Sequence, residues 1–359
     1  MMILNLRQKK TAVLAILVVL ILFSVYAFDL KEETRIERKT LLRGEWGKGE
    51  GQFGLGQGQD GKKYGPQSFG LDQNGNVYIL DTYNNRVAIY DYQGRPVFTF
   101  QVAEAGKKVF LADLAVDGRN NVWIVDNANY QVLRFSPAGT ALEPFTPEPV
   151  EGGNKGDLKI IESISVDWAG NLYLEDSYTG VEKLTRRIRR FGPSGQLDLD
   201  LATVVASRRE GVAATQTLPA DLNSLAVGKA GWLYLETGRE PFLRQIVVLR
   251  DGLPDKELTI RQDDFIKTSA LLGTDREGRI FLGLNLGTPA GRVLVLNAEG
   301  RLQQQIAAPG FPEIQGRVWG RVDPDGDLYL MAFSREGLTM EKIRLEKGRR
   351  LTFLGHPAR

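Results

Sequence analysis

The chain contains no cysteine and a single histidine, His356, close to its C-terminus. The first absence excludes disulfides, thiol nucleophiles and cysteine-ligated metals. The second excludes zinc sites built from histidine clusters and makes a Ser-His-Asp arrangement depend on a terminal residue. An excess of one charge is missing too. Lysine and arginine number 46 against 44 acidic residues, a net charge of +2. That balance supplies no broad basic field, so no nucleic-acid partner is expected. After Lys39 no run of ten or more residues carries a strong 3.6-residue apolar period, so no long amphipathic helix is expected there.

One long apolar run is present. Residues 11–28 are almost wholly apolar and follow Arg7, Lys9 and Lys10. Eighteen residues at helical rise reach roughly 27 Å, close to the ~30 Å hydrocarbon core of a bilayer. The expectation is a transmembrane helix or signal anchor, with residues 1–10 as a basic cytoplasmic tail and residues 29–38 as a charged stalk. A cleavable signal peptide is the rival reading, because Val25-Tyr26-Ala27 offers small residues where a signal peptidase cuts. Either reading places the rest of the chain on the extracytoplasmic side.

The remainder is repetitive. A glycine- or asparagine-punctuated turn leads into a short apolar strand six times: Gly75-Asn76-Val77-Tyr78, Asn120-Asn121-Val122-Trp123, Gly170-Asn171-Leu172-Tyr173, Gly231-Trp232-Leu233-Tyr234, Gly278-Arg279-Ile280-Phe281 and Gly326-Asp327-Leu328-Tyr329. A second glycine follows each, at Gly94, Gly139, Gly195, Gly252, Gly300 and Gly348. The repeat spacing, roughly 45–60 residues, is a blade period. Each unit holds four short runs rich in β-branched and aromatic residues. Radial stacking of such sheets buries both of their faces. The fold class expected is all-β: a six-bladed β-propeller of four-stranded antiparallel blades over residues 39–355, with residues 356–359 as a tail. Two segments compete for the outermost seat of the last blade, residues 40–43 and residues 349–354.

At the first repeat, Gly75-Asn76-Val77-Tyr78 followed by Asp81-Thr82-Tyr83-Asn84-Asn85-Arg86-Val87 resembles the NHL repeat. The lead-in Trp46-Gly47-Lys48-Gly49-Glu50-Gly51-Gln52-Phe53 resembles the segment that precedes such repeats. The second repeat keeps part of the pattern in Asp126-Asn127-Ala128-Asn129-Tyr130-Gln131-Val132, and the last three lose it. The resemblance implies the six-bladed fold. The family includes binding scaffolds and its propeller relatives include enzymes, so function does not follow from the fold.

Loop lengths divide the two ends of the propeller. Tight turns join first to second and third to fourth strands at one end. Longer connections between blades, and between second and third strands, gather at the other, where binding residues usually lie. Candidate ligand-binding residues there are Tyr83, Asn84, Arg86, Tyr130, Tyr178, Arg239 and Arg335. Aromatic rings and guanidinium groups suit a protein, peptide or glycan partner. Asp81, Asn84 and Arg86 also carry a structural reading, as loop and inter-repeat ties.

Three further constellations bear on chemistry. Asp72-x-Asn74-x-Asn76 and Asp323-x-Asp325-x-Asp327 imitate the start of a calcium loop but lack the acid at its twelfth position, and hairpin turns account for both. The run Arg186-Arg187-Ile188-Arg189-Arg190 reads as a solvated strand face, with a polyanion contact as its alternative. Asp113, Glu162, Asp221 and Asn223 lie on or beside inner strands, where related propeller hydrolases hold a metal. Two functions are therefore carried forward. One is a membrane-anchored extracytoplasmic binding or scaffold module with no catalytic residue, cofactor or obligatory metal. The other is a metal-dependent lactone or ester hydrolase or lyase.

Overall fold

A computed structural model of the chain describes residues 28–58, 60–104, 107–147, 158–167, 169–179, 183–207, 222–228, 231–238, 240–287, 291–309, 314–315 and 317–353. Two compact units separate. One is Arg38–Ile343, and the other combines Met1–Glu37 with Arg344–Arg359.

The unit Arg38–Ile343 is a six-bladed β-propeller, each blade a four-stranded antiparallel sheet. Blade one comprises Ser68–Leu71, Val77–Asp81, Arg86–Tyr90 and Pro96–Gln101. Blade two comprises Leu111–Val116, Val122–Asp126, Gln131–Phe135 and Ala141–Phe145. Blade three comprises Leu158–Val166, Leu172–Thr179, Lys183–Phe191 and Leu197–Ser207. Blade four comprises Leu222–Val227, Leu233–Thr237, Leu243–Arg250 and Leu253–Arg261. Blade five comprises Thr268–Thr274, Ile280–Asn285, Gly291–Leu296 and Leu302–Ala308. Blade six takes its inner three strands from Gly320–Val322, Leu328–Phe333 and the part of Gly337–Phe353 up to Ile343, and its outer strand from the part of Phe28–Glu45 that begins at Arg38.

That last pairing settles the contested seat. The N-terminal strand closes the ring, as residues 40–43 suggested. Residues 349–353 are not a separate fourth strand. They continue Gly337–Phe353, which runs through Gly348 without turning. Residues 29–38, expected as a stalk, fall within the strand Phe28–Glu45. Among the described residues no helix is long and apolar enough to cross a membrane. The expected span at 11–28 lies outside them except for Phe28, which opens that strand.

The inner hairpins show why the glycine pattern reports blades. Asp72 starts one: its Oδ1 accepts from the amides of Asn74 and Asn76, and its Oδ2 from the Asn76 side chain. Gly75 then sits at φ 77°, and Asn120 fills the equivalent place at φ 62°. A left-handed residue suits glycine best and asparagine next. Asp117, Asp167, Asp275 and Asp323 repeat the arrangement. The calcium-like spacings at Asp72 and Asp323 are therefore turn staples. Burial raises the Asp323 pKa above the usual carboxylate value, opposed by hydrogen bonds from its own turn.

The core lies between blades rather than at the centre. Phe69, Ile79, Tyr329, Met331 and Met340 pack with Leu41 and Leu42 of the closing strand between blades six and one. Ile161, Ile164, Trp123 and Val125 pack between two and three, and Ile246, Val248, Leu282 and Leu294 between four and five. A fully buried side chain of this size contributes about 1.5–3 kcal/mol, so Leu41 and Leu42 give the closing strand a grip beyond its hydrogen bonds.

Candidate functional site

Loop residues at the long-connection end are organised around Asp81, the last residue of blade one's second strand and fully buried. Its Oδ1 accepts from the Gly54 amide at 2.8 Å. Its Oδ2 accepts from Asn84 Nδ2 and Arg86 Nε, both at 2.8 Å. Asn84 also donates to the Gly47 carbonyl, and Arg86 to the carbonyls of Lys48, Gly49 and Gln52. The Asp-Asn-Arg trio thus clamps the glycine-rich lead-in that links the closing strand to blade one. Asn84 and Arg86, both candidate ligand contacts, spend their hydrogen bonds on this loop.

A small sheet of Gly56–Gln57, Lys63–Tyr64 and Ile314–Gln315 crosses the same end. Its third strand, from the loop between blades five and six, pairs parallel with the second. The Asp60 carboxylate accepts from the Tyr64 hydroxyl at 2.8 Å, which holds the Asp60 pKa down and pushes the Tyr64 pKa up.

The other candidate residues are scattered over this end. Tyr83 is 40 % exposed, with its ring packed against the backbone of Gly56. Tyr130 is half-buried and donates to Asp176 at 2.7 Å. Arg335 is exposed in the turn before the last strand. Arg239 lies outside the described residues, and Tyr178 lies in a strand with its side chain outside them. Among these, none but Asn84 and Arg86 is brought together by a shared partner.

The centre of the ring holds a cavity of about 180 Å³, lined by the ends of all six inner strands, among them Leu71, Val116, Val166, Val227, Thr274 and Val322. Two of the inner-strand acids named for a metal meet arginines instead. Asp113 is 1 % exposed and accepts from Ser68 Oγ, from the amides of Leu114 and Ile164, and from Arg321 Nη2 at 3.2 Å. Arg321 comes from blade six and also donates to the carbonyls of Phe69 and Leu114. Glu162 on blade three accepts from Ser177 Oγ and from Arg317 Nη2, each at 2.9 Å. Arg317 precedes blade six, three blades round the ring, so this ion pair bridges opposite sides. Asn223 donates to Glu236 and to the Gly238 carbonyl. Asp221 lies outside the described residues. Among the described residues no three acidic or histidine side chains cluster as metal ligands.

Glu236, the acid of blade four, stands near the acidic position of the repeat, but sequence reasoning assigned it no role. Glu236 is fully buried and accepts from Asn223, Ser224 and Ser269, with Arg244 Nε 3.2 Å away. Burial raises its pKa, opposed by those hydrogen bonds and by the Arg244 charge. Burial lowers the Arg244 pKa, opposed by Glu236. The signal available was an acid in the otherwise apolar second strand Leu233–Thr237, with an arginine near the start of the third.

The arginine-rich run also resolves differently from a solvated face. Arg186 pairs with Glu175, Arg187 with Asp200, Arg189 with Asp176 and Arg190 with Asp198. Arg189 is 3 % exposed, because neighbouring blades cover what an isolated sheet would leave to water.

In comparison with known proteins, residues 64–90 match the model of the NHL repeat, and this segment carries the clamping residues Asp81, Asn84 and Arg86. No curated protein matches the chain. Similar solved structures include a gluconolactonase from Xanthomonas campestris, at 16% identity over 80% of this chain and 90% of that one, with a TM-score of 0.48. Virginiamycin B lyase from Staphylococcus aureus is 12% identical over 88% of this chain and all of that one, with a TM-score of 0.44. A luciferin-regenerating enzyme is 11% identical over 88% of this chain and 98% of that one, with a TM-score of 0.49. Likeness at this level carries no argument about chemistry.

Proposed function

We propose that this chain is a binding or scaffold propeller without catalysis of its own. In this reading residues 11–28 anchor it in a membrane, residues 1–10 stay in the cytoplasm, and the propeller is displayed on the extracytoplasmic side. Its partner is a protein, peptide or glycan that meets the long-connection end. The observation that carries the reading is the pairing of Asp113 with Arg321. A carboxylate saturated by four donors, one of them a guanidinium, has little capacity left for a cation. The clamped lead-in and the small sheet add support, since loops held rigid lose less entropy when they bind.

The test uses full-length protein in detergent on peptide and glycan arrays, with the double variant Arg239→Ala/Arg335→Ala as control. Capture of one ligand class, weakened at least tenfold in the variant at unchanged melting temperature, is the expected result. Reproducible lactone or ester turnover after chelation and restoration of calcium, magnesium or manganese, lost in Asp113→Asn, would overturn the reading in favour of a hydrolase. For topology, protease added outside intact cells or spheroplasts should cut the propeller, and protection equal to that of a cytosolic marker would refute the orientation.

A further inference from the structure

Cations lie against aromatic rings near the second strands of several blades, and most have a carboxylate beside them. In blade three Arg190 pairs with Asp198 at 2.7 Å. In blade four Arg250 lies over Trp232 and pairs with Asp255. In blade six Lys342 lies over Tyr329 and pairs with Asp327 at 2.8 Å. Blade two is different. Arg134 sits cross-strand from Trp123, with its guanidinium carbon 4.4 Å from the ring centroid. Its Nε is buried without an acceptor, and among the described residues it makes no ion pair.

This guanidinium borders a cavity of about 290 Å³ between blades two and three. The walls include Trp123, Phe145, Leu172 and Phe191, together with the turn Gly192–Gly195. Phe145 and Phe191 meet edge to face at 4.8 Å, and the Trp123 indole is fixed by its bond to Asp117. Glu143 lines the cavity too and is exposed. The crevice is at the tight-turn end of the propeller, away from the long connections.

We propose that this crevice binds a small organic monocarboxylate with an aromatic or branched apolar body. The guanidinium supplies a planar fork whose donors match a carboxylate, and its face is already stacked on Trp123. Arg134 makes no ion pair among the described residues, and its outer guanidinium nitrogens, which are not closed off as Nε is, can take a carboxylate from a ligand. The apolar walls take the body of the ligand. The charge count favours a monoanion, because one cation faces the cavity and the Glu143 carboxylate stands beside it. The volume sits near the ~300 Å³ lower end of small-molecule sites, which suits a free acid better than a polypeptide segment.

Phenylacetate and its neutral isostere phenylacetamide provide the test, titrated by calorimetry and saturation-transfer NMR into full-length protein in zwitterionic nanodiscs, with empty nanodiscs as blank. Phenylacetate is expected to bind in the millimolar range or tighter, and the amide at least tenfold more weakly. Arg134→Met keeps the apolar stem and is expected to lose that preference. Glu143→Gln, which leaves the core untouched, is expected to tighten phenylacetate severalfold by removing a competing charge. Equal binding of acid and amide, retention of the preference in Arg134→Met, or weaker binding in Glu143→Gln would each overturn the proposal. So would tighter capture of a peptide ending in phenylalanine than of phenylacetate, since that assigns the site to a polypeptide.

Discussion

Blades one and four each carry a buried acid near the end of the second strand, with an arginine near the start of the next strand, and the two pairs hold different things. The acids stand one residue apart in the repeat and so on opposite faces of the strand. Asp81 and Arg86 reach along the chain to the glycine-rich lead-in and fix the segment that follows ring closure. Glu236 and Arg244 reach sideways to Ser269 of blade five and fasten two neighbours. The difference follows from what each blade has beside it. Blade one receives the loop from the closing strand, whose backbone amide and carbonyls need partners. Blade four faces an inner strand carrying a serine. A buried acid near the end of a second strand therefore draws a polar clamp around it, while the face it points from and its neighbour decide what is clamped.

Removing Asp81 is the strongest way to break this comparison. Asp81→Ala leaves Arg86, Asn84 and the Gly54 amide without their shared acceptor. Breaking one partner of a buried pair costs about 3–5 kcal/mol, to be read as a loss in urea unfolding. A cost no larger than that of a surface substitution would show that the clamp does not hold the ring.

Closure itself is probed next by Gly94→Ala. Gly94 has φ 85°, and an added Cβ would stand 1.8 Å from the Leu41 carbonyl of the closing strand. The strained backbone alone costs ~1 kcal/mol or more, and displacement of the strand adds to it. The same substitution at Gly278, where the nearest atom is 3.6 Å away, isolates the backbone part. Equal melting temperatures for the two variants would remove the argument for close strand contact.

A smaller effect is expected for Asn84→Ala, which loses bonds to Asp81 and the Gly47 carbonyl but leaves the ion pair. Roughly 1 kcal/mol per hydrogen bond bounds it, measured by thermal unfolding. Comparison with Asp81→Ala separates the clamp's charge from its geometry.

The subtlest test concerns pH in blade four. Burial raises the Glu236 pKa above its ordinary value of 4.5. Below 4.5 the folded and unfolded chains are both protonated there. As pH rises through the raised folded value, the unfolded chain ionises first, so stability from this group is lost. Wild-type protein is therefore expected to lose melting temperature relative to Glu236→Gln between pH 4.5 and neutrality. A difference that is flat in pH would sink the idea that burial outweighs the surrounding donors.

Much of the fold was legible because its signals are local. Asp72, Gly75 and Asn76 carry one hairpin between them, and the same few positions recur in each blade. At Gly348 that logic misled, because the strand Gly337–Phe353 passes through the glycine. The candidate site was less legible. Asn84 and Arg86 were read as possible ligand contacts because their partners, Gly47 to Gln52, lie more than thirty residues earlier. Asp113 and Glu162 resembled metal ligands because Arg321 and Arg317, which neutralise them, stand 208 and 155 residues away.

What the amino-acid order determined alone is the number and composition of the blades. Turns are closed by residues four apart, and alternation within five or six residues decides a strand, so neither needs the rest of the molecule. Only the tertiary structure decided that the N-terminal strand closes the ring, that loops from either side of blade six share a small sheet, and that Arg134 is left beside a cavity without an ion pair among the described residues. Each depends on which segments meet across the ring. Closure brings together residues from the two ends of the chain, and no local spacing records that meeting.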